Sequence, residues 1–193
     1  MPAQIRGLLM CGGLASRFGS DKLAAMLDGE PLVARSARNL LAGLGNALAV
    51  IPPGAERLYA ILDEAGCEIV ETIDCARGLG ASIAAGVAAS ATSDGWVVAL
   101  GDMPFIRPMT IAMVADRIEK GAHIAAPILG GIRGHPVGFA RSLKASLLAL
   151  DGDEGAKSLI ARHRDLVQTF IVDDPGVTAD VDVPSDLARR KGA

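Results

Sequence analysis

The chain has 193 residues, of which 50% are hydrophobic and 21% are charged, and its formal net charge is -3 at pH 7. This length suits one globular domain with a buried core, while the lack of a Lys/Arg stripe and an aromatic content of only 3% argue against nucleic acid as a partner. Because no apolar stretch reaches the roughly 18 residues of a membrane helix, and the three cysteines form no CxxC pair, we expect a cytoplasmic protein with reduced thiols and no membrane partner.

Short apolar runs alternate with helical patterns along the chain. Ile5–Cys11 is predicted to be a strand buried on both faces, and Pro31–Leu44 has helical apolar spacing that stops at Gly45. The later predicted elements are the strand Ala47–Ile51, the helix Glu56–Ala65, the strand Glu68–Val70, the helix Leu79–Ser90, the strand Trp96–Leu100, the helix Met109–Lys120, the strand His123–Ala126, the helices Leu143–Leu150 and Ala156–His163, and the strand Val167–Val172.

This alternation predicts an α/β sheet wound from βα units. Ligands of such sheets bind beyond the carboxyl ends of the strands. That rule directs attention to three segments, namely Cys11–Lys22, Gly101–Pro104 and the loop through Gly130–Pro136.

The first of these segments, CGGLASRFGSDK, is rich in glycine and carries two cations. Glycines at positions 12, 13 and 19 allow backbone N–H groups to approach an anion closely. Arg17 and Lys22 supply the two kinds of cation most used on phosphate. The spacing fits neither GxGxxG nor GxxxxGK[ST], so composition alone supports a phosphate loop and a strand-ending turn with solvated cations equally.

Acidic residues follow the central strand and recur near the C-terminus. In WVVALGDMPF, Asp102 comes directly after a buried strand, where one carboxylate could hold Mg²⁺ or merely stabilise a turn. In TADVDVPSDL, Asp180 and Asp182 alternate, so both could face one way on an extended segment or lie on a solvated edge.

The loop CGGLASRFGSDK resembles the AGGxSxRMGxDK motif of the molybdenum cofactor guanylyl- and cytidylyltransferases. Ala15 stands where that family has Ser, and Phe18 where it has Met. Further motifs are similar in order along nearly the whole chain, and they are GDMP after the central strand, RGLGASIAAGV, GIRGHPVGF, DGDEGAKSL and the ending TADVDVPSDL. The resemblance implies a single three-layer α/β/α domain over residues 1–193, with a mostly parallel mixed sheet of the Rossmann-like, glycosyltransferase-A-like nucleotidyltransferase type. Residues 1–108 would form the nucleotide-binding part and residues 109–193 the acceptor-binding part.

The resemblance also implies roles for individual residues. Arg17, Lys22 and Asp102 would be catalytic, with Mg²⁺ held by Asp102 and Asp182, and Asp180 as the alternative to Asp182. His135, Pro136 and Lys157 would lie beside the acceptor, although His135 alone reads as a solvated loop residue. The expected nucleotide-binding residues are Cys11, Gly12, Gly13, Leu14, Ala15, Arg17, Lys22 and Ser82.

The reaction implied is transfer of a nucleoside monophosphate from an NTP to the phosphate of molybdopterin or its molybdenum form, with release of pyrophosphate. An acceptor molybdoenzyme is a candidate partner. Sugar or polyol phosphates are alternative acceptors, and a nucleotide-binding chaperone for the cofactor is an alternative function. A nicotinamide-dependent oxidoreductase would need a glycine spacing that the chain lacks.

The motifs disagree on the nucleotide base. Gly12 beside Gly13 resembles the guanylyl branch of the family, whose loop reads AGG where the cytidylyl branch has AAG. The motifs GLGASIAAG, GHPVGF and GDEGAK resemble the cytidylyl branch. The number of motifs favours CTP over GTP.

Overall fold

A computed structural model describes residues 4–12, 22–153 and 155–181 of the chain. Among these residues, eight strands form one sheet and two more form a small hairpin. The strands are β1 (Ile5–Met10), β2 (Met26–Leu27), β3 (Glu30–Pro31), β4 (Leu48–Ile51), β5 (Glu68–Glu71), β6 (Gly95–Leu100), β7 (Ile124–Leu129), β8 (Ile132–Arg133), β9 (Val137–Ala140) and β10 (Val167–Ile171). The sheet has the order β10-β7-β9-β6-β1-β4-β5, with β8 paired to β7, while β2 and β3 form the hairpin.

The sheet is mixed but mostly parallel. Strands β1, β4, β5 and β6 pair in parallel, and β10 pairs in parallel with β7. Strand β9 runs antiparallel to both of its neighbours, β6 and β7, and β8 is antiparallel to β7. The predicted α/β domain with a mostly parallel mixed sheet is therefore confirmed.

Helices cover both faces of the sheet, which makes the three layers. The helices are α1 (Leu32–Leu44), α2 (Glu56–Glu64), α3 (Leu79–Ala89), α4 (Pro108–Glu119), α5 (Lys144–Leu148) and α6 (Lys157–Arg162). Buried residues of α1, α2 and α4 form one apolar cluster with one face of the sheet. Those of α3, α5 and α6 form a second cluster on the other face. No helix within the described ranges is both long and apolar enough to span a membrane.

Strand β9 was not predicted from the sequence. Its side chains alternate, with Val137 and Phe139 buried in the cluster under α3, α5 and α6. Gly138 faces α4, and a Cβ there would lie 2.7 Å from a methyl carbon of Val114. A glycine therefore lets α4 lie close to the sheet at β9. Short length and this glycine hide the strand from a search for apolar runs.

The carboxyl ends of β1 and β6 lie side by side. Met10 is in register with Leu100, and the N–H of Gly101 donates to the carbonyl of Met10 at 2.9 Å. On the other side of β1, the N–H of Cys11 donates to the carbonyl of Val50 at 3.0 Å. The sheet thus brings the start of the glycine-rich loop next to the residue that follows β6.

Candidate active site

Lys22 and Asp102 meet at the carboxyl edge of the sheet. The Lys22 Nζ lies 3.4 Å from Asp102 Oδ2, although the two residues are 80 positions apart in the chain. Both side chains are half-buried, with 24% and 30% of their surfaces exposed. The structure thus brings together the cation that ends the glycine-rich loop and the carboxylate after the central strand, as the sheet rule predicts. Arg17 lies outside the described residues.

Burial raises the pKa of Asp102 above its ordinary value. The charge of Lys22 and its hydrogen bond to the carboxylate act in the opposite direction, and they offset only part of the effect. The negative charge of Asp180 raises the same pKa further. A partly desolvated carboxylate with an acidic neighbour favours a bound cation.

Asp180 reaches this carboxylate because the end of the described chain returns to the loop after β6. The N–H of Val181 donates to the main-chain carbonyl of Asp102 at 3.0 Å. Asp180 and Asp102 both line the same cavity. Asp182, which was the preferred second metal ligand, lies outside the described residues. Among the described residues, Asp180 is a carboxylate that lines the cavity with Asp102.

At the start of the glycine-rich loop, only main-chain atoms are available to contact a ligand. Cys11 is buried, and burial raises the pKa of its thiol well above the ordinary value. A Cβ on Gly12 would lie 2.5 Å from the sulfur of Cys75. Any contact that these two positions make with a nucleotide would therefore use main-chain atoms. Gly13, Leu14 and Ala15 lie outside the described residues.

A cavity of about 450 Å³ opens beside Asp102, a size typical of small-molecule sites. Its walls are largely apolar and come from both the sheet and the helices that cover it. Its charged and titratable lining residues are Asp102, Arg133, His135, Asp153, Lys157 and Asp180. This cavity has the mixture of apolar walls and few polar groups that binds small organic ligands.

His135 is held in this cavity by its backbone and kept neutral by its surroundings. Its N–H donates to the carbonyl of Val177 at 2.8 Å. Burial lowers the pKa of its imidazole, and the positive charges of Arg133 and Lys157 lower it further, against the opposing effect of Asp180. Its Nδ1 atom is buried with no hydrogen-bond partner among the described residues. His135 is therefore not the solvated loop residue that its sequence context suggests.

Lys157 and Pro136 were predicted beside the acceptor along with His135. Lys157 is the first residue of α6 and lines the cavity. Pro136 is buried between His135 and β9 and is absent from the described lining of the cavity. The structure therefore brings Lys157 and His135 to one cavity with Asp102, while Pro136 contributes to the packing of the segment.

Ser82 lies inside the fold, apart from the cavity. Its side chain is fully buried in α3, and its hydroxyl donates to the carbonyl of Gly78 at 3.0 Å. The amino end of the same helix is covered, since the N–H of Gly80 donates to the carbonyl of Gly152 at 2.8 Å. A contact between Ser82 and nucleotide stays a prediction, and the structure gives this residue a packing role.

Arg133 and Asp153 line the cavity and were not predicted as site residues. Both occur within quoted motifs, Arg133 in GIRGHPVGF and Asp153 in DGDEGAKSL. Each motif combined glycines with charged residues, which was the available signal. The carboxylate of Asp153 packs against Gly78, just before α3. It therefore brings DGDEGAKSL next to RGLGASIAAGV, although Asp153 and Gly78 are more than 70 positions apart.

The carboxylates present fit a cation that takes part of its ligand set from substrate. Within the described ranges, no three His, Cys, Asp or Glu side chains form a group able to hold a metal ion. Mg²⁺ is commonly bound by one or two carboxylates together with phosphate oxygens and water. Asp102 and Asp180 would suffice for a site of that kind.

Comparison with known proteins supplies a family and related enzymes. The MobA-like NTP transferase domain matches residues 7–167. Nicotine blue oxidoreductase of Paenarthrobacter nicotinovorans is 26% identical over 194 residues, which cover 96% of this chain and 95% of that protein. A 3-deoxy-manno-octulosonate cytidylyltransferase of Chlorobaculum tepidum is 34% identical over 101 residues, which cover 51% of this chain but only 39% of that enzyme.

Solved structures share the fold over nearly the whole chain. Rv0371c from Mycobacterium tuberculosis H37Rv superposes with a TM-score of 0.82 at 25% identity, covering 98% of both chains. A second structure of that protein, in complex with manganese, gives a TM-score of 0.80 at 23% identity and covers 96% of this chain and 97% of that one. The architecture read from the strands and helices is thus one that other proteins adopt from end to end.

Proposed function

This chain belongs to the family of MobA-like NTP transferase domains, and from that premise we propose that it transfers a nucleoside monophosphate from an NTP to the phosphate of molybdopterin or its molybdenum form, releasing pyrophosphate. The observation that carries the proposal is the meeting of Lys22 and Asp102 beside a cavity of about 450 Å³. A cation for phosphate and a carboxylate for a metal ion are the two groups that nucleotidyl transfer requires at one place.

The acceptor phosphate needs no catalytic base. A phosphate monoester is largely ionised at neutral pH, so the nucleophile is already formed. The barrier comes from repulsion between two anions and from charge that develops on the leaving pyrophosphate. Lys22, Arg17 and the N–H groups of the glycine-rich loop would hold the β- and γ-phosphates and stabilise that charge.

Asp102, with Asp180 or Asp182, would hold Mg²⁺. When bound there, the ion would neutralise charge on the α-phosphate and the leaving group. Asp102 must be ionised to serve in this way, and Lys22 favours the ionised form by lowering its pKa against the effect of burial. Since the charge of Asp180 disfavours ionisation of Asp102, a cation between them would relieve the repulsion.

The acceptor would bind in the part of the cavity lined by Arg133, His135 and Lys157. The two cations there suit a phosphate-bearing ligand, and their effect on the pKa of His135 indicates a positive local potential. A neutral imidazole with an unpartnered Nδ1 can exchange a hydrogen bond with a heterocycle such as a pterin. The apolar walls of the cavity suit a ring system better than a polyhydroxylated sugar.

For the nucleotide we retain CTP over GTP. The partial similarity to a cytidylyltransferase supports this choice, and so do the three motifs that resemble the cytidylyl branch. The contact between Gly12 and Cys75 supplies a packing reason for glycine at position 12, so this glycine is weaker support for GTP than its resemblance alone suggests.

The test is pyrophosphate release with Mg²⁺, measured for each NTP against molybdopterin, a sugar phosphate and a polyol phosphate. The proposal expects turnover with molybdopterin and CTP. Turnover only with a sugar or polyol phosphate would show that molybdopterin is not the acceptor, while the assignment as a nucleotidyltransferase would stand. Tight nucleotide binding without turnover on any acceptor would favour the chaperone alternative.

An oxidoreductase is a second candidate, because the similarity to nicotine blue oxidoreductase extends over the full length of both chains. The glycine spacing of a dinucleotide-binding loop is absent from this sequence. Titration with NADH, NADPH and oxidised flavins, followed by fluorescence, separates the two functions. Saturable binding of one of these together with no pyrophosphate release would favour the oxidoreductase.

A further inference from the structure

A buried aspartate anchors the segment that follows β10. We call residues 172–181 the connector. Within it, Asp174 is only 2% exposed, and its carboxylate accepts three hydrogen bonds. Oδ2 accepts from the N–H of Arg107 at 2.9 Å and from the hydroxyl of Thr110 at 2.6 Å, and Oδ1 accepts from the N–H of Gly176 at 3.0 Å.

Two of those donors belong to the start of α4. The residue before that helix, Arg107, makes no capping hydrogen bond with its own side chain. Asp174, more than 60 positions away, accepts instead from the main-chain N–H of Arg107 and from the hydroxyl of Thr110 in the first turn, and its negative charge suits the positive end of the helix dipole. The guanidinium of Arg107 in turn donates to the carbonyl of Asp173 at 2.6 Å. The connector and α4 are therefore joined in both directions.

The connector is also pressed against the loop before α4. A Cβ on Gly176 would collide with the carbonyl of Phe105, and the neighbouring Val177 is fully buried. Backbone-to-backbone contact of this kind leaves the connector little freedom to slide.

From this anchored position the connector reaches both ends of the cavity. The carbonyl of Val177 accepts the N–H of His135 at 2.8 Å, and the N–H of Val181 donates to the carbonyl of Asp102 at 3.0 Å. Between these two contacts, the side chain of Asp180 enters the lining of the cavity. A shift of the connector would therefore disturb the metal-side carboxylates and the acceptor-side imidazole together.

We infer that Asp174 is a positioning residue, which by its hydrogen bonds to the start of α4 fixes the connector so that Asp180 stands beside Asp102 while Val177 holds His135. The effect on metal and acceptor rests on the proposed function, whereas the effect on the connector does not. Nothing in the sequence marks this role, because Asp174 lies in an ordinary acidic pair before a proline.

Amide hydrogen exchange tests the positioning without any need for activity. In Asp174→Asn the side chain keeps its shape, but its NH₂ group must face at least one of the three groups that donate to Asp174. Protection of the His135 and Val181 amides should fall about tenfold or more, while that of the β1 and β4 amides in the middle of the sheet is retained. Asp173→Asn is the matched control, since Asp173 is exposed and adjacent, and it should leave all of these amides unchanged.

Steady-state kinetics test whether the anchoring also affects the proposed metal site. In Asp174→Asn, kcat should fall about tenfold and the Mg²⁺ concentration for half-maximal rate should rise about tenfold, with the KM for NTP nearly unchanged. Equal loss of protection in every strand would show that Asp174 serves only global stability, and unchanged protection would show that it anchors nothing. Either result overturns the inference. Absence of turnover in the wild-type protein would instead reject the proposed function and leave the exchange result standing.

Should Asp174→Asn fail to fold, Thr110→Val removes one donor to the same carboxylate with little change in volume. The inference expects the same pattern, a smaller loss of protection confined to His135 and Val181. A Thr110→Val protein with wild-type exchange at both amides would contradict it.

Discussion

At the scale of single residues, Gly12 and Cys75 pack so closely that the first glycine of the glycine-rich loop has no room for a side chain. A Cβ on Gly12 would lie 2.5 Å from the sulfur and 2.7 Å from the Cβ of Cys75. Cys75 is buried, and its Cβ is fixed by the backbone to which it is attached. The start of the loop is therefore fixed by a packing contact that the sequence does not reveal.

Gly12→Ala should lower the free energy of unfolding by about 1–3 kcal/mol, the usual range for an overpacked site. The same substitution made in a Cys75→Gly protein should have a much smaller effect, because the atoms that it would strike are gone. Urea unfolding of the wild type, both single variants and the double variant measures the coupling. Additive losses would show that the two positions do not interact.

Asp102→Asn should reduce turnover by about 100-fold or more, since it removes the negative charge that we propose holds Mg²⁺. The melting temperature should stay the same or rise slightly. Burial already disfavours the ionised form of Asp102, as its raised pKa indicates, so a neutral side chain of the same shape fits at least as well. A drop in melting temperature that matched the lost activity would point to a structural role.

At the scale of elements, the amino end of α3 depends on the loop at residues 151–153. A Cβ on Gly80 would lie 2.6 Å from the carbonyl oxygen of Asp151. Because this oxygen belongs to the backbone, it can move away only if the loop itself shifts. Six residues along the same helix, a Cβ on Gly86 would meet only side-chain methyl groups of Val50 and Leu8, at 3.1 Å and beyond. The two glycines thus occupy very different surroundings.

This contrast gives a matched pair of substitutions. Alanine at either position gains about 1 kcal/mol in helix propensity. For Gly86→Ala that gain should roughly balance the tight contact, whereas Gly80→Ala should lose about 1–3 kcal/mol overall by displacing the loop that carries Asp153. Thermal unfolding of the two variants side by side measures the difference. Equal stabilities would mean that the loop moves freely.

Some of the helices and strands could be predicted from the sequence, and others could not. Helix α1 ends where predicted because Gly45 adopts φ 74° and its N–H donates to the carbonyl of Leu41. The hairpin of β2 and β3 was missed although Asp28-Gly29 is a typical two-residue turn, with φ values of 53° and 90°. Strand β9 could not be predicted from a run of apolar residues, because Gly138 occupies the face that packs against α4.

For the site, sequence reasoning located the pair of Lys22 and Asp102, because both follow strands whose carboxyl ends meet in a parallel sheet. The residues that surround His135 could not be predicted from the sequence, because they are brought together by the antiparallel strand β9 and by the connector. The role of Asp174 was missed for the same reason, since its two partners at the start of α4 lie more than 60 positions away. Contacts that arise from chain reversal leave no local pattern.

At the scale of the whole molecule, the two predicted functional parts share one sheet. Strand β9, from residues 109–193, lies between β6 and β7 and pairs with β6 of the first part. The apolar cluster under α3, α5 and α6 likewise contains residues from both parts. The division of labour between nucleotide and acceptor stays a prediction, but neither part has a core of its own.

The chain should therefore unfold in a single cooperative transition. Near- and far-ultraviolet circular dichroism should give coincident urea curves, as expected of one domain of this size. A fragment of residues 1–108, which leaves β6 without its β9 neighbour, should lack a cooperative transition. Two separated transitions, or a folded fragment, would contradict the shared core.

The central claim is that the glycine-rich loop and the carboxylate after β6 act on one triphosphate through a divalent ion. The most direct measurement is a crystal structure of the protein soaked with CTP and Mg²⁺. We expect a metal ion bound to Asp102 and a phosphate oxygen within hydrogen-bond distance of the Lys22 ammonium. A triphosphate bound elsewhere, or metal and nucleotide bound away from Asp102, would contradict it.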